Sequence, residues 1–215
     1  MRPIPVLLIA LALPALCACN QVYSRTPLIS EPREQGDPEF RPGLWSGAGY
    51  NDKCVFDIRK NRRDWPDCAV GIEVRRDQMF LVSGHDRIPF QTYRLIDGPP
   101  IVLQMHLSAD ILKDPRVPEP RDTDNPLYGW TYAVITVLKT DAANRITQAE
   151  MIQAACGPLP AQDGSSASHT NRPFAGLVMV GNNCVARDLE TVKNALSESA
   201  KLNSPSPMRW IRDTP

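Results

Sequence analysis

The sequence has few histidines and no paired-cysteine motif, and these are the residues from which metal and nucleophilic centres are usually built. Its three histidines (His85, His106 and His169) stand far apart, and neither C-x-x-C nor H-x₃₋₅-H occurs. An excess of charge of either sign is also missing, because 24 Lys and Arg balance 24 Asp and Glu. A nucleic-acid-binding domain is usually basic. The sequence therefore predicts no metal, no cofactor and no nucleic-acid partner.

Long apolar runs are missing too, apart from residues 6–16 near the amino end. Crossing the hydrocarbon core of a bilayer takes about 20 residues, so this run of eleven is too short. A short apolar run after a basic residue, here Arg2, is typical of a secretory signal peptide. The sequence therefore predicts export of the chain.

The apolar run ends in Leu16-Cys17-Ala18-Cys19, which resembles the lipobox of bacterial lipoproteins. The resemblance implies diacylglycerol on the sulfur of Cys19, cleavage before that residue, and acylation of its amine. The next residue is Asn20 and not the aspartate linked to inner-membrane retention, so the resemblance favours the outer membrane, facing the periplasm. Two alternatives stay open: an ordinary secretory cleavage site that leaves a soluble protein, or an uncleaved segment that acts as an anchor.

Composition divides the remaining chain into three parts after a signal peptide over residues 1–18. Residues 19–42 carry four prolines (Pro27, Pro32, Pro38 and Pro42) and few apolar side chains, which predicts a flexible linker behind the lipid. Residues 43–203 are long enough for one domain with its own core. Residues 204–215 are interpreted as a tail that Trp210 docks onto the body.

Four cysteines remain after Cys17 leaves with the signal peptide and Cys19 takes lipid. In an exported chain an even number of cysteines favours disulfides, and four allow three pairings. We favour Cys54–Cys68 and Cys156–Cys184 because each closes a short local loop. A metal site is the alternative, but the cysteines stand singly along the chain.

The central residues predict an α+β domain, an antiparallel sheet of six to eight strands with a carboxy-terminal helix packed on it. The nearly continuous apolar run at 132–139 is interpreted as a strand buried on both faces, followed by a turn at 141–144. Residues 145–155 fit either a helix or a returning strand, and we prefer the strand. Other predicted strands cover 54–58, 69–74, 79–83, 90–96 and 101–107, the last two joined by a turn at 97–100.

One helix is predicted near the carboxyl end. Its apolar stripe is formed by Val185, Leu189, Val192 and Leu196, which recur at helical spacing. Asn183 is the expected N-cap, and Asn203 with Pro205 marks the end. Cys184 would then lie at the start of the helix, where a bond to Cys156 would hold the helix to the sheet.

Two short motifs suggest chemistry without establishing it. Ser83-Gly84-His85-Asp86 contains catalytic residue types, but neighbours in sequence rarely converge in space, so a turn is the better interpretation. Arg59, Lys60, Arg62 and Arg63 could contact an anionic envelope polymer or lipid headgroups, and a solvated loop explains them as well.

Taken together, the sequence predicts a non-catalytic binding or structural module of the cell envelope, anchored to a membrane, whose partner is an envelope protein or a cell-wall polymer. The alternative is an envelope hydrolase or small-ligand-binding enzyme with a site built from distant residues.

Overall fold

A computed structural model of the chain describes residues 20–30, 36–47, 59–66, 70–83, 86–96, 98–107, 128–159 and 170–213. These residues are mostly β-structure with one α-helix near the carboxyl end. The helix is α1 (Leu189–Leu202), and a short 3-10 helix covers Arg62–Asp64. The strands are β1 (Val22–Ser24), β2 (Gly43–Gly47), β3 (Val70–Arg75), β4 (Gln78–Ser83), β5 (Asp86–Ile96), β6 (Ile101–Leu107), β7 (Trp130–Thr140), β8 (Ile146–Gln153), β9 (Val178–Val180), β10 (Asn183–Val185) and β11 (Ser206–Arg212).

Eight of these strands close into an antiparallel barrel. The ring runs β2, β3, β4, β5, β6, β7, β8, β11 and back to β2, and every neighbouring pair is antiparallel. Ring order follows chain order, so this is an up-and-down barrel with one long insertion between β8 and β11. The predicted antiparallel sheet is therefore present, but it closes on itself, which removes the free edges of the ring.

The barrel interior is filled by side chains from alternate positions of its strands, because successive residues of a strand face opposite sides. Phe40, from the segment before β2, lies edge-on against Trp45, with ring centroids 5.2 Å apart. Its backbone neighbours bond to Ile146 at the start of β8. The buried interior residues are Phe40, Trp45, Val74, Met79, Tyr93, Leu95, Leu103, Met105, Ala133, Ile135, Ile146, Ala149 and Met208.

A second layer covers one wall of the barrel from outside. Strand β1 pairs antiparallel with β7 and parallel with β10, and β10 pairs with β9. Helix α1 packs on the same wall through Val192, Ala195 and Leu196. This layer ends near Val134, so the expected burial of β7 on both faces holds only for its first half, and Leu138 is 49% exposed.

The predicted linker and tail both differ from expectation. Within the described part of residues 19–42, β1 joins the sheet and the side chains of Ile29 and Phe40 are buried. The tail contributes β11, which lies between β8 and β2 and completes the barrel. Composition predicts disorder where apolar residues are sparse, but these few apolar residues meet a surface that buries them. The predicted docking of Trp210 is confirmed, because it pairs with Trp45 across β11 and β2.

The local prediction for the β7–β8 hairpin is confirmed, whereas the predicted start of the helix is wrong. Strand β8 returns beside β7, with Ile152 opposite Val134, so the preferred strand assignment for this segment is confirmed. The helix is capped by Asp188, whose carboxylate accepts from the Thr191 N–H, and not by Asn183, which lies in β10. Asn203 is the C-cap, as predicted.

Candidate functional site

The cysteines assigned from the sequence fall into two groups. Cys156 and Cys184 form a disulfide with their Cα atoms 5.4 Å apart, which confirms this pairing. The bond joins the segment after β8 to strand β10 and does not involve the helix start. Cys19, Cys54 and Cys68 lie outside the described residues.

Asn20, the first described residue, is held by three hydrogen bonds. Its N–H donates to the Asn182 carbonyl at 2.6 Å, and its carbonyl accepts from the Cys156 N–H at 2.8 Å. Its side-chain amide donates to the Gly157 carbonyl at 2.9 Å. The backbone φ of Asn20 is 86°, a left-handed value that Asn adopts more readily than most other residues. The chain position is therefore fixed one residue after Cys19.

The segment that receives Asn20 is itself tightly packed. The Phe174 N–H donates to the Cys156 carbonyl at 2.7 Å, which draws residues 170–174 against the disulfide. A side chain at Gly157 would collide with the Arg172 carbonyl, so this close approach requires glycine. The disulfide, Gly157 and the turn before β10 thus form one compact frame around Asn20.

A buried polar network holds the residues that follow β1 against the barrel wall. Gln104 is fully buried, and its side-chain oxygen accepts from the N–H groups of Leu28 and Ile29, both at 2.9 Å. Its amide donates to the Ile29 carbonyl at 3.1 Å. The Tyr132 hydroxyl lies 3.3 Å from the same Gln104 oxygen and 2.5 Å from the Ser24 hydroxyl.

This network has a structural role. Burial raises the pKa of Tyr132 to about 12, against the opposing effect of its hydrogen bonds to Ser24 and the Leu28 backbone. The Ser24 hydroxyl also contacts the Thr26 carbonyl, so its bonding capacity is used within the segment. Sequence reasoning missed Gln104, although a lone amide in the apolar stretch Ile101–Leu107 is a signal of a buried partner.

The basic run lies on a different part of the barrel. Arg59 and Lys60 form a turn, Arg62 and Arg63 lie in the 3-10 helix, and the side chains of Arg59, Lys60 and Arg63 are exposed. Trp65 holds this segment to the barrel by packing against Leu44 and Val82 on the outside of β2 and β4. Arg212 on β11 also donates to the Lys60 carbonyl at 3.4 Å, so the segment lies along the outside of β11, β2 and β4.

Of the other residues singled out from the sequence, the structure describes Ser83, Asp86 and His106. Ser83 and Asp86 are paired at the end of the β4–β5 hairpin, while His85 and His169 lie outside the described residues. His106 packs against Trp130 with ring centroids 4.6 Å apart. Among the described side chains, no group of three His, Cys, Asp or Glu is arranged to hold a metal ion.

Helix α1 is the one α-helix described, and no described helix has the length and hydropathy needed to cross a bilayer. No family model, no curated protein and no solved structure matches this chain.

Proposed function

We propose that this protein is a lipid-anchored lipoprotein of the bacterial cell envelope, held to the outer membrane on its periplasmic side, with a barrel that serves as a non-catalytic binding or structural module. The main observation in support is that three hydrogen bonds hold Asn20, the residue after the lipobox cysteine. A mature chain that begins at Cys19 would start at the surface of the fold, with its lipid next to a disulfide-stabilised frame.

The barrel core supports a non-catalytic role. An eight-stranded barrel is just wide enough to be filled by side chains or to hold one small ligand. Here Phe40 packs against both Trp45 and Tyr93 in the interior. The buried hydroxyls of Ser24 and Tyr132 bond within their own network. The small-ligand alternative is therefore less favoured than binding on the outer surface.

An anionic cell-wall polymer is the partner that the arrangement favours. The exposed cations Arg59, Lys60 and Arg63 lie within one short segment that packs on the outside of β2 and β4. Exposed cations attract anionic polymers through long-range electrostatics.

Co-sedimentation with purified cell-wall polymer tests this partner. Replacing Arg59, Lys60 and Arg63 with Ala should reduce binding at low salt. A matched variant with Ala at Arg76, Lys139 and Arg209, which are also exposed, should keep it. Equal binding by both variants, or enrichment of an envelope protein in place of polymer, would overturn the choice of partner.

Intact mass of the detergent-extracted protein tests the anchor. The expected mass is that of a chain starting at Cys19 with added acyl groups, rising by two hydrogens per disulfide on reduction. Cys19→Ala should abolish the acyl mass, whereas Cys17→Ala, two residues earlier, should retain it. An unmodified chain that starts elsewhere would make this a soluble exported protein.

A further inference from the structure

The hydrogen bonds of Asn20 leave no flexible linker between Cys19 and the folded domain. Consecutive Cα atoms are about 3.8 Å apart, so Cys19 cannot lie farther than that from the bonded Asn20. A flexible linker of the length expected from composition would have allowed a separation of about 25–30 Å between lipid and fold. The surface beside Asn20 must therefore lie at the depth of the lipid headgroups if Cys19 carries the acyl chains.

The segments that meet at Asn20 carry no charge. Residues 20–24, 151–159 and 173–186 contain no Asp, Glu, Lys or Arg, in a chain in which 22% of residues are charged. They are brought together by the bonds of Asn20 to Asn182, Cys156 and Gly157. A charged side chain is costly to bring into contact with lipid, so a neutral surface suits this depth.

One residue at the border of these segments suits a phosphate group. Arg172 directly precedes residues 173–186 in sequence. Arg172 lies next to Gly157, since its carbonyl contacts that glycine. A cation at the border of an apolar contact is attracted by anionic headgroups.

Leu159 is an exposed apolar side chain close to Asn20. It is 55% exposed and lies two residues after Gly157, which places it within about 7 Å of the residue that binds Asn20. Burial of a leucine side chain in hydrocarbon is favoured over its exposure to water.

We infer that the neutral surface formed by Asn20, residues 157–159 and residues 181–182, here named the anchor face, rests directly on the bilayer with Leu159 in the lipid. This inference rests on the proposed anchor at Cys19. It fixes which side of the barrel faces the membrane, because the anchor face lies on the wall that β1 and β10 cover. The bilayer is the occupant because the acyl chains would leave the fold at this surface.

The test uses the full lipidated protein in vesicles of phosphatidylcholine with phosphatidylglycerol. An environment-sensitive fluorophore is attached to Leu159→Cys and, as a matched control, to Leu138→Cys, whose leucine is 49% exposed. Leu138 lies six residues beyond Tyr132 on β7, about 20 Å along the strand from the covered wall. Wild-type protein taken through the same labelling provides the blank.

The expected result is a blue-shifted emission at position 159, with severalfold stronger quenching by spin-labelled acyl chains than at position 138. Equal quenching at the two positions, in protein whose mass includes the acyl groups, would overturn the inference and leave the anchor intact. Protein without acyl mass would instead overturn the proposed function. Circular dichroism of each variant verifies that both retain the fold.

Discussion

The hydroxyl oxygens of Ser24 and Tyr132 lie 2.5 Å apart in the interior of the protein, 108 residues apart in sequence. Ser24 ends β1 and Tyr132 lies near the start of β7, so this hydrogen bond links the amino-terminal segment to the barrel wall. Gln104 on β6 extends the link to Leu28 and Ile29. The residues that follow Asn20 are thus hydrogen-bonded to the barrel strands β6 and β7.

Removing this hydrogen bond should loosen the amino-terminal segment. Tyr132→Phe is expected to lower the free energy of unfolding by about 1–2 kcal/mol, because Ser24 and Gln104 lose a buried partner. Urea unfolding of Tyr132→Phe, Ser24→Ala and the double variant measures the coupling between the two hydroxyls. Strictly additive losses would contradict a direct interaction.

Stability should fall in alkaline solution because of the same tyrosine. The pKa of Tyr132 rises from 10.0 to about 12 in the folded protein. Below pH 10 both states keep the proton and the stability is fully present. Between pH 10 and 12 the unfolded chain loses it first, so the free energy of unfolding falls, by an amount of order 3 kcal/mol.

The stability difference between wild type and Tyr132→Phe isolates this effect from the titration of other groups. It should decrease as pH rises above 10. A difference that stays constant with pH would show that the hydroxyl is not buried in the folded state.

The disulfide should contribute measurably to stability. Cys156 and Cys184 are 28 residues apart, and restricting such a loop in the unfolded chain is worth about 3.5 kcal/mol. The double variant Cys156→Ser/Cys184→Ser should show a correspondingly lower unfolding midpoint in urea.

Thiol labelling of the single variant Cys156→Ser under denaturing conditions checks the pairing. Cys184 alone should react if Cys54 and Cys68 are bonded to each other. Labelling of Cys54 or Cys68 as well would contradict the second predicted disulfide.

Truncation should distinguish a barrel strand from a tail. A chain ending at residue 205 lacks β11 and leaves β8 and β2 without a partner on one edge. Cooperative thermal unfolding should be lost. A chain ending at Asp213 keeps β11 and should unfold like the full-length protein; similar curves for both truncations would contradict the closed barrel.

The helix cap gives a test at a solvent-exposed position. The N–H of Thr191 donates to the Asp188 carboxylate, which holds the pKa of that carboxyl below its usual value of 3.8. Its stabilisation is therefore present above that pH and lost as pH falls through the lowered pKa. Asp188→Ala should lower the melting temperature by a few degrees at neutral pH, whereas Asp188→Asn retains a capping oxygen and should change it less. A loss with Asp188→Asn as large as that with Asp188→Ala would contradict this cap.

Much of the local structure could be predicted because its causes are local. The β7–β8 and β5–β6 hairpins follow from apolar runs separated by turn residues, and both form as predicted. Three of the four residues of the predicted stripe, Leu189, Val192 and Leu196, lie in α1, whereas Val185 lies in β10, so the helix begins later than predicted. The predicted N-cap was wrong because Asn183 and Asp188 are both good cap residues, and only the strand pairing of β10 decides between them.

The sequence by itself was enough to predict an export signal, a strand-rich fold, the carboxy-terminal helix and the Cys156–Cys184 disulfide. Each of these predictions depends on residues that are close together in the chain. Tertiary structure alone decided that the sheet closes, that β11 completes it, and that Asn20 is bonded to Gly157 and Asn182. These features depend on partners more than 100 residues away. Where a proline-rich segment or a short tail finds such a partner, buried area and hydrogen bonds outweigh a composition that predicts disorder.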